Sequence, residues 1–253
     1  MKKPNLYYER KLWSKGYGLV AGVDEVGRGS FAGPIVASAV AFAPMANYEW
    51  PRINEDGIEV RINDSKKLTD KQRRVSDKWI KENALTWGIG EVSVSEINKL
   101  GVSKAACSAF RRAIAHANIR VKRRIDYLLV DAYFVPYTRD LPIVHKKHRK
   151  RAKLGNRRKK EIKKLIEKKD GRQLAIINGD ERSVSIASAS IVAKVYRDDL
   201  MIRLSKYEKN NNYLWEENKG YGTKKHRDAI KKHGTNRHHR RKFVEKLLKK
   251  NTG

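Results

Sequence analysis

The acids that close apolar runs are the residues of this chain best suited to chemistry. The run 18–23 leads into Asp24 and Glu25, the run 125–130 leads into Asp131, and the short run 174–177 is followed closely by Asp180. A carboxylate at the end of a core strand is costly to bury unless something compensates it. A divalent cation is the simplest compensation, because hard cations such as Mg²⁺ take carboxylate oxygens. Crowded carboxylates also repel, which raises their proton affinity until cations occupy the site. The bland alternative is a strand running into a polar turn with its acids solvated. The pleat sets one condition on the metal reading. Neighbours on a regular strand face opposite sides, so Asp24 and Glu25 reach one site only if the chain bends at Glu25.

A loop with three glycines, Gly27, Gly29 and Gly33, follows the first acids, and a second apolar run over 35–42 reads as another strand. The glycines let backbone come close to a ligand, and Arg28 sets a phosphate-binding fork among them. Such a partner agrees with the overall charge. The 253 residues carry 58 Lys and Arg against 28 Asp and Glu, a formal net charge of +30. That excess predicts a polyanionic partner, and nucleic acid fits best. A membrane surface fits less well, since no basic amphipathic helix carries an aromatic face.

The elements that must position these residues alternate along the chain. Residues 1–16 suit a short helix leaning on the body, and 44–62 read as an excursion with turn signals at Pro44, Pro51 and 54–57. Thr69 is an N-cap for a helix to about Asn83. Residues 88–94 alternate as a strand, 102–117 read as an alanine-rich helix, and 183–198 as a helix of small residues packed on the sheet. The tail from 210 reads as a turn and two helices. With 40% apolar residues the chain supports a proper core, in an α/β layer around a mixed sheet. The lone cysteine, Cys107, excludes an intrachain disulfide and suits a buried packing role. The histidines near the end have the wrong spacing for a closed zinc site. No signal peptide is read, and no run approaches the ~20 apolar residues of a membrane span. The expectation is a soluble, cytoplasmic monomer.

The stretch Asp24-Glu25-Val26-Gly27-Arg28-Gly29 after an apolar strand closely resembles the signature of ribonuclease HII, and Asp64-Ser65-Lys66-Lys67-Leu68, the small-residue helix 183–198, Asn218 to His226 and His238 to Phe243 match the same family. One departure is Asn178, where the family usually has lysine. The resemblance implies a ribonuclease H-like mixed β-sheet flanked by helices, forming a catalytic domain over 1–209, with a small helical substrate-binding region over 210–253. It covers nearly the whole chain except about 137–173, which looks like a basic insertion. Residues 137–174 hold sixteen Lys and Arg against four Asp and Glu, and 161–169 could form a helix.

The resemblance also implies a metal-dependent endoribonuclease. It would cleave the RNA strand of RNA/DNA hybrids and nick 5′ of ribonucleotides embedded in duplex DNA, leaving 5′-phosphate and 3′-hydroxyl ends. Asp24, Glu25, Asp131 and Asp180 would be both catalytic and metal-binding, holding two Mg²⁺ or Mn²⁺ ions. Gly27, Arg28 and Gly29 would contact the ribose and adjacent phosphates, with Ser65 and Lys66 near bound nucleic acid. Tyr221 would pack on the sugar at the junction; taken alone it reads as an ordinary half-buried tyrosine. Two other readings stand beside this one. A non-catalytic basic nucleic-acid binder explains the charge but not the acids closing apolar strands. The sister enzyme ribonuclease HIII usually carries an extra N-terminal domain, for which Asp24 lies too near the start.

Overall fold

The computed structural model describes residues 3–44, 52–53, 57–136, 138, 172–207 and 212–249. Most of the basic stretch at 137–173, including the helix expected over 161–169, lies outside the described residues, as do several of the turn signals between 44 and 62.

A five-stranded sheet organises the chain. Its strands are β1 (Val20–Val26), β2 (Ile35–Ala41), β5 (Thr86–Val92), β6 (Tyr127–Asp131) and β7 (Gln173–Ile176), in the order β5-β2-β1-β6-β7. β1 pairs antiparallel with β2, and β2 with β5, whereas β1–β6 and β6–β7 are parallel. The sheet is therefore mixed, as the sequence implies. A two-residue pair, β3 (Arg52–Ile53) with β4 (Glu59–Val60), stands apart from it.

Helices cover both faces. On one face α4 (Val102–Val121) sets Ala105, Ala109, Phe110, Ala113 and Ala117 against Ala21, Val23, Ala37 and Ala39, next to the short α3 (Val94–Leu100). On the other, α5 (Val184–Ser205) packs with α2 (Asp70–Asn83) around Val40, Phe42, Ile80, Ile191 and Val192. The first ten residues of α5 are all buried, which is why its sequence is small and apolar all round rather than striped. Its approach to β1 is so close that a Cβ on Gly22 would lie 2.1 Å from the Ser185 carbonyl carbon. The capping box on α2 joins Thr69 to Gln72 as the sequence predicts, a motif worth about 1 kcal/mol.

The helix α1 (Tyr7–Trp13) is tied down by Glu9, whose buried carboxylate accepts from Ser183 Oγ at 2.6 Å and from Ser185 N at 3.0 Å. The C-terminal elements α6 (Trp215–Asn218), α7 (Lys224–His233) and α8 (Arg241–Lys249) gather a small core of their own. There Tyr213, Trp215, Ile230 and Val244 meet Ala32 and Met201. This small core abuts the β1–β2 loop and thereby reaches the edge of the sheet where the acids sit. Cys107 is only half buried, its Sγ 3.3 Å from Tyr133 Oη.

Candidate active site

β1 does not stop at its acids and does not bend there. Its ladder with β2 stays regular through Asp24↔Ser38, Glu25↔Ala37 and Val26↔Val36, which corrects the bend expected at Glu25. The other neighbour stops instead. β6 pairs with β1 only as far as Val23↔Val130, so β1 runs past the end of β6 and projects beyond it. Asp24 turns toward α5, where Ser190 donates to it. Glu25 turns to the opposite side, 3.6 Å from Arg28. Asp131 is the last residue of β6, and its charge acts on both Asp24 and Glu25. Beyond the last β6 pair the Glu25 N–H donates to Asp24 Oδ1 at 2.7 Å.

Asp180 comes from a 3₁₀ turn, Gly179–Glu181, rather than from a strand end. Asn178 enters that turn at φ 52°, a left-handed conformation that asparagine tolerates better than most residues. Gly179 N donates to Asp131 Oδ1 at 2.8 Å, which docks the turn on β6.

The four acids share one electrostatic neighbourhood, and Asp131 is common to it. Asp24 is raised well above the usual carboxylate range by burial, then by Glu25 and Asp131. Burial also raises Glu25, with Arg28 opposing and Asp131 adding to the shift. Burial, Asp64 and Asp131 push Asp180 up to about 6, against Lys66. Among the described residues no three such groups already stand in closed ligand geometry. The donor set is nevertheless all hard oxygen with an excess of unpaired negative charge, and that fits a hard divalent cation.

The predicted substrate residues lie around this edge. Ser65 sits in a 3₁₀ turn, Ser65–Lys67, capped by Asp64, and its Oγ is 3.0 Å from Ser190 Oγ. Lys66 Nζ is 4.0 Å from both Asp64 Oδ1 and Asp180 Oδ2. Gly27 takes φ 85°, and a Cβ there would lie 2.1 Å from Arg197 Nε. Arg28 and Gly29 are exposed, and the Arg28 guanidinium lies 5.3 Å from the Tyr133 ring centre. Tyr221 is half buried, with Arg197 5.3 Å and Lys194 5.6 Å from its ring. Gly27 and Tyr221 thus meet through one guanidinium.

That arrangement exposes residues that the sequence reading passed over. Ser190, Lys194 and Arg197 are spaced four and three apart, on one face of α5. That face touches Asp24, Ser65, Tyr221 and Gly27 in turn. Lys194 and Arg197, the first charged residues after ten small or apolar ones, were the available signal. Asp64 and Tyr133 were also missed, although each lies within two residues of a named site residue.

A family model described as Ribonuclease HII matches residues 21–246. The chain belongs to the ribonuclease HII family. Curated relatives named Ribonuclease HII include one from Caldanaerobacter subterraneus subsp. tengcongensis, 38% identical over 243 residues, which cover 96% of this chain and 81% of the relative. Another, from Wolbachia pipientis subsp. Culex pipiens, is 39% identical over 244 residues, covering 96% and 98%. The fold is also that of ribonuclease H2 from Pyrococcus horikoshii OT3, with TM-score 0.58 at 21% identity over 91% of this chain and 97% of that one. The RNase HII of Archaeoglobus fulgidus, solved as a complex with PCNA, gives TM-score 0.55 at 22% identity, over 90% and 96%.

Family membership makes the chain a ribonuclease H endonuclease, a metal-dependent hydrolase acting on RNA/DNA hybrids. The non-catalytic binder and ribonuclease HIII readings are not favoured by these matches. Among the described residues, no helix is long and apolar enough to cross a membrane.

Proposed function

We propose that Asp24, Glu25, Asp131 and Asp180 hold two Mg²⁺ or Mn²⁺ ions. With them the enzyme cleaves the RNA strand of RNA/DNA hybrids and nicks 5′ of single ribonucleotides in duplex DNA, leaving 5′-phosphate and 3′-hydroxyl ends. The observation that carries this is the shared position of Asp131, whose charge raises the proton affinity of Asp24, Glu25 and Asp180 alike. When bound, such ions activate the attacking water and stabilise the departing oxygen.

The chain's own residues do the rest. Asp24 and Glu25 project past the end of β6 on the two faces of β1, beside Asp131, so that a phosphodiester laid across the sheet edge meets their carboxylates. Arg28, held by Glu25 at 3.6 Å, takes a phosphate oxygen. Gly27 and Gly29 bring backbone to the ribose, whose 2′-hydroxyl is the group that separates RNA from DNA. Tyr221 supports the sugar at the junction and is itself backed by Arg197. Lys66, beside Asp180, and Ser65 steady the phosphates next to the cut. In this reading 1–209 form the catalytic domain and 210–253 a substrate-binding region, in a cytoplasmic monomer.

The test is nicking of a duplex carrying one ribonucleotide and of a long hybrid, with Mg²⁺, with Mn²⁺ and with chelator. Cleavage of both that stops with chelator, leaving 3′-hydroxyl ends, supports the reading. Metal-independent cleavage contradicts it.

A further inference from the structure

Two arginines from distant parts of the chain hold the β1–β2 loop from behind. Arg197, on α5, donates from Nε to Pro34 O at 3.0 Å, from Nη2 to Ala32 O at 3.1 Å and from Nη1 to Lys219 O at 2.9 Å. Arg240, just before α8, donates from Nε and Nη2 to Gly33 O at 3.0 and 2.8 Å. Its Nη2 also reaches Pro34 O, and its Nη1 reaches Arg28 O, each at 3.0 Å. The two side chains are 0% and 1% exposed. Among the described residues these acceptors are all backbone carbonyls, not carboxylates. A guanidinium buried without an ionic partner is costly, so its fork must supply something a neutral residue cannot.

The hydrogen bond to Arg28 O shows what that is. In a planar trans peptide the N–H points opposite to its C=O. With Arg28 O drawn inward onto Arg240, the N–H of Gly29 is turned outward. Among the described residues no backbone hydrogen bond takes that N–H. Gly29 itself carries the second half of the observation. Its φ is not positive, and nothing lies within 4 Å of a Cβ built there. The fold demands glycine at 27 but not at 29. A glycine the fold does not need, with its N–H facing outward beside an exposed arginine, is explained by what docks on it.

We propose that Arg240 is a positioning residue for ribose recognition. It fixes the Arg28–Gly29 peptide so that the Gly29 N–H faces the 2′-hydroxyl oxygen of the substrate. This rests on the reading of the Gly27–Gly29 turn as the element that contacts ribose. Burial and repulsion from Arg197 lower Arg240 to about 9, which leaves it charged near neutral pH. Lysine keeps that charge but cannot reach Arg28 O, Gly33 O and Pro34 O together.

The experiment uses the full chain with Arg240→Lys and Arg240→Gln. Single-turnover rates are measured on a duplex bearing one ribonucleotide, and affinity is measured in chelator. The rate should fall about 10²-fold through misplacement, while affinity changes less than about 2-fold because phosphate contacts dominate it. Rates within about 2-fold of wild type would overturn the proposal.

A second measurement needs no Arg240 variant. In ¹⁵N-glycine-labelled wild-type protein without divalent metal, the Gly29 amide, assigned through Gly29→Ala, should shift with the ribonucleotide duplex and not with the all-DNA duplex. An equal response to both duplexes would overturn the proposal as well. Failure of the underlying reading looks different: wild-type protein would then show no preference for nicking at the ribonucleotide.

Discussion

Replacing Asp180 with asparagine should stabilise the metal-free protein near neutral pH while removing its activity. Asp180 is 7% exposed, and its carboxyl is held at about 6 against an ordinary value of 3.8. Because the folded state binds the proton more tightly than the unfolded one, this group favours folding fully below about pH 3.8. That contribution is lost as pH rises through about 6. Near neutral pH the ionised carboxylate therefore opposes folding. A shift of about two units, at 1.36 kcal/mol each, sets a ceiling of about 3 kcal/mol. Asparagine is still a polar group in a poorly hydrated place, so part of that gain is offset. For a chain of this length about 1 kcal/mol corresponds to roughly 2–4 °C in Tm, so the expected rise is several degrees.

The assay is thermal denaturation in chelator near neutral pH and again near pH 4. The gain should be present at the first and vanish at the second. Adding Mg²⁺ or Mn²⁺ should raise the wild-type Tm by mass action and raise the variant's less. A variant no more stable than wild type in chelator near neutral pH would refute the idea that these acids are crowded at the cost of stability.

Tyr221→Ala should lower single-turnover cleavage of a one-ribonucleotide duplex by roughly 10²-fold with little change in binding, and less on a long hybrid; an unchanged rate would return Tyr221 to an ordinary half-buried role. Deleting 139–172 should weaken duplex binding and reduce the slope of log K against log salt by about 0.9 for each phosphate no longer neutralised, with cleavage chemistry intact; an unchanged slope would separate this basic stretch from substrate binding. His239, 3% exposed beside His226 and Trp215, is lowered by burial to about 4 from 6.5. Its contribution to stability is complete above about pH 6.5 and falls as pH drops toward 4, by up to about 3 kcal/mol. Urea titrations of wild type and His239→Gln at several pH values should show wild type losing stability more steeply over that window, and parallel curves would contradict it.

The acids were legible in the sequence because each closes or follows an apolar run, and burial at a strand end is a local pattern. The Thr69 cap and the mixed sheet were legible for the same reason. How Asp24 and Glu25 come to project at the sheet edge was not. That depends on where β6 stops, 107 residues away from Asp24, and no local pattern records the length of a pairing strand. Ser190, Lys194 and Arg197 sat within a helix read as plain packing, and only the seating of α5 on β1 brings their common face to the acids. Arg240 was read only as part of the match over His238 to Phe243, because nothing in the sequence distinguishes a buried guanidinium gathering carbonyls from a solvated one. Gly29 shows the converse. Nothing in the folded chain lies within 4 Å of a Cβ built there, so packing does not explain its glycine, and only the motif resemblance points to it.

The central claim is that the acids at the end of β1 and β6 perform the chemistry while basic residues supply affinity. The most direct measurement compares wild type with Asp24→Asn on a duplex carrying one ribonucleotide, recording nicking with Mg²⁺ or Mn²⁺ and binding in chelator on the same preparations. Nicking should be lost with duplex binding largely intact. An Asp24→Asn protein that nicks at near the wild-type rate would contradict the account.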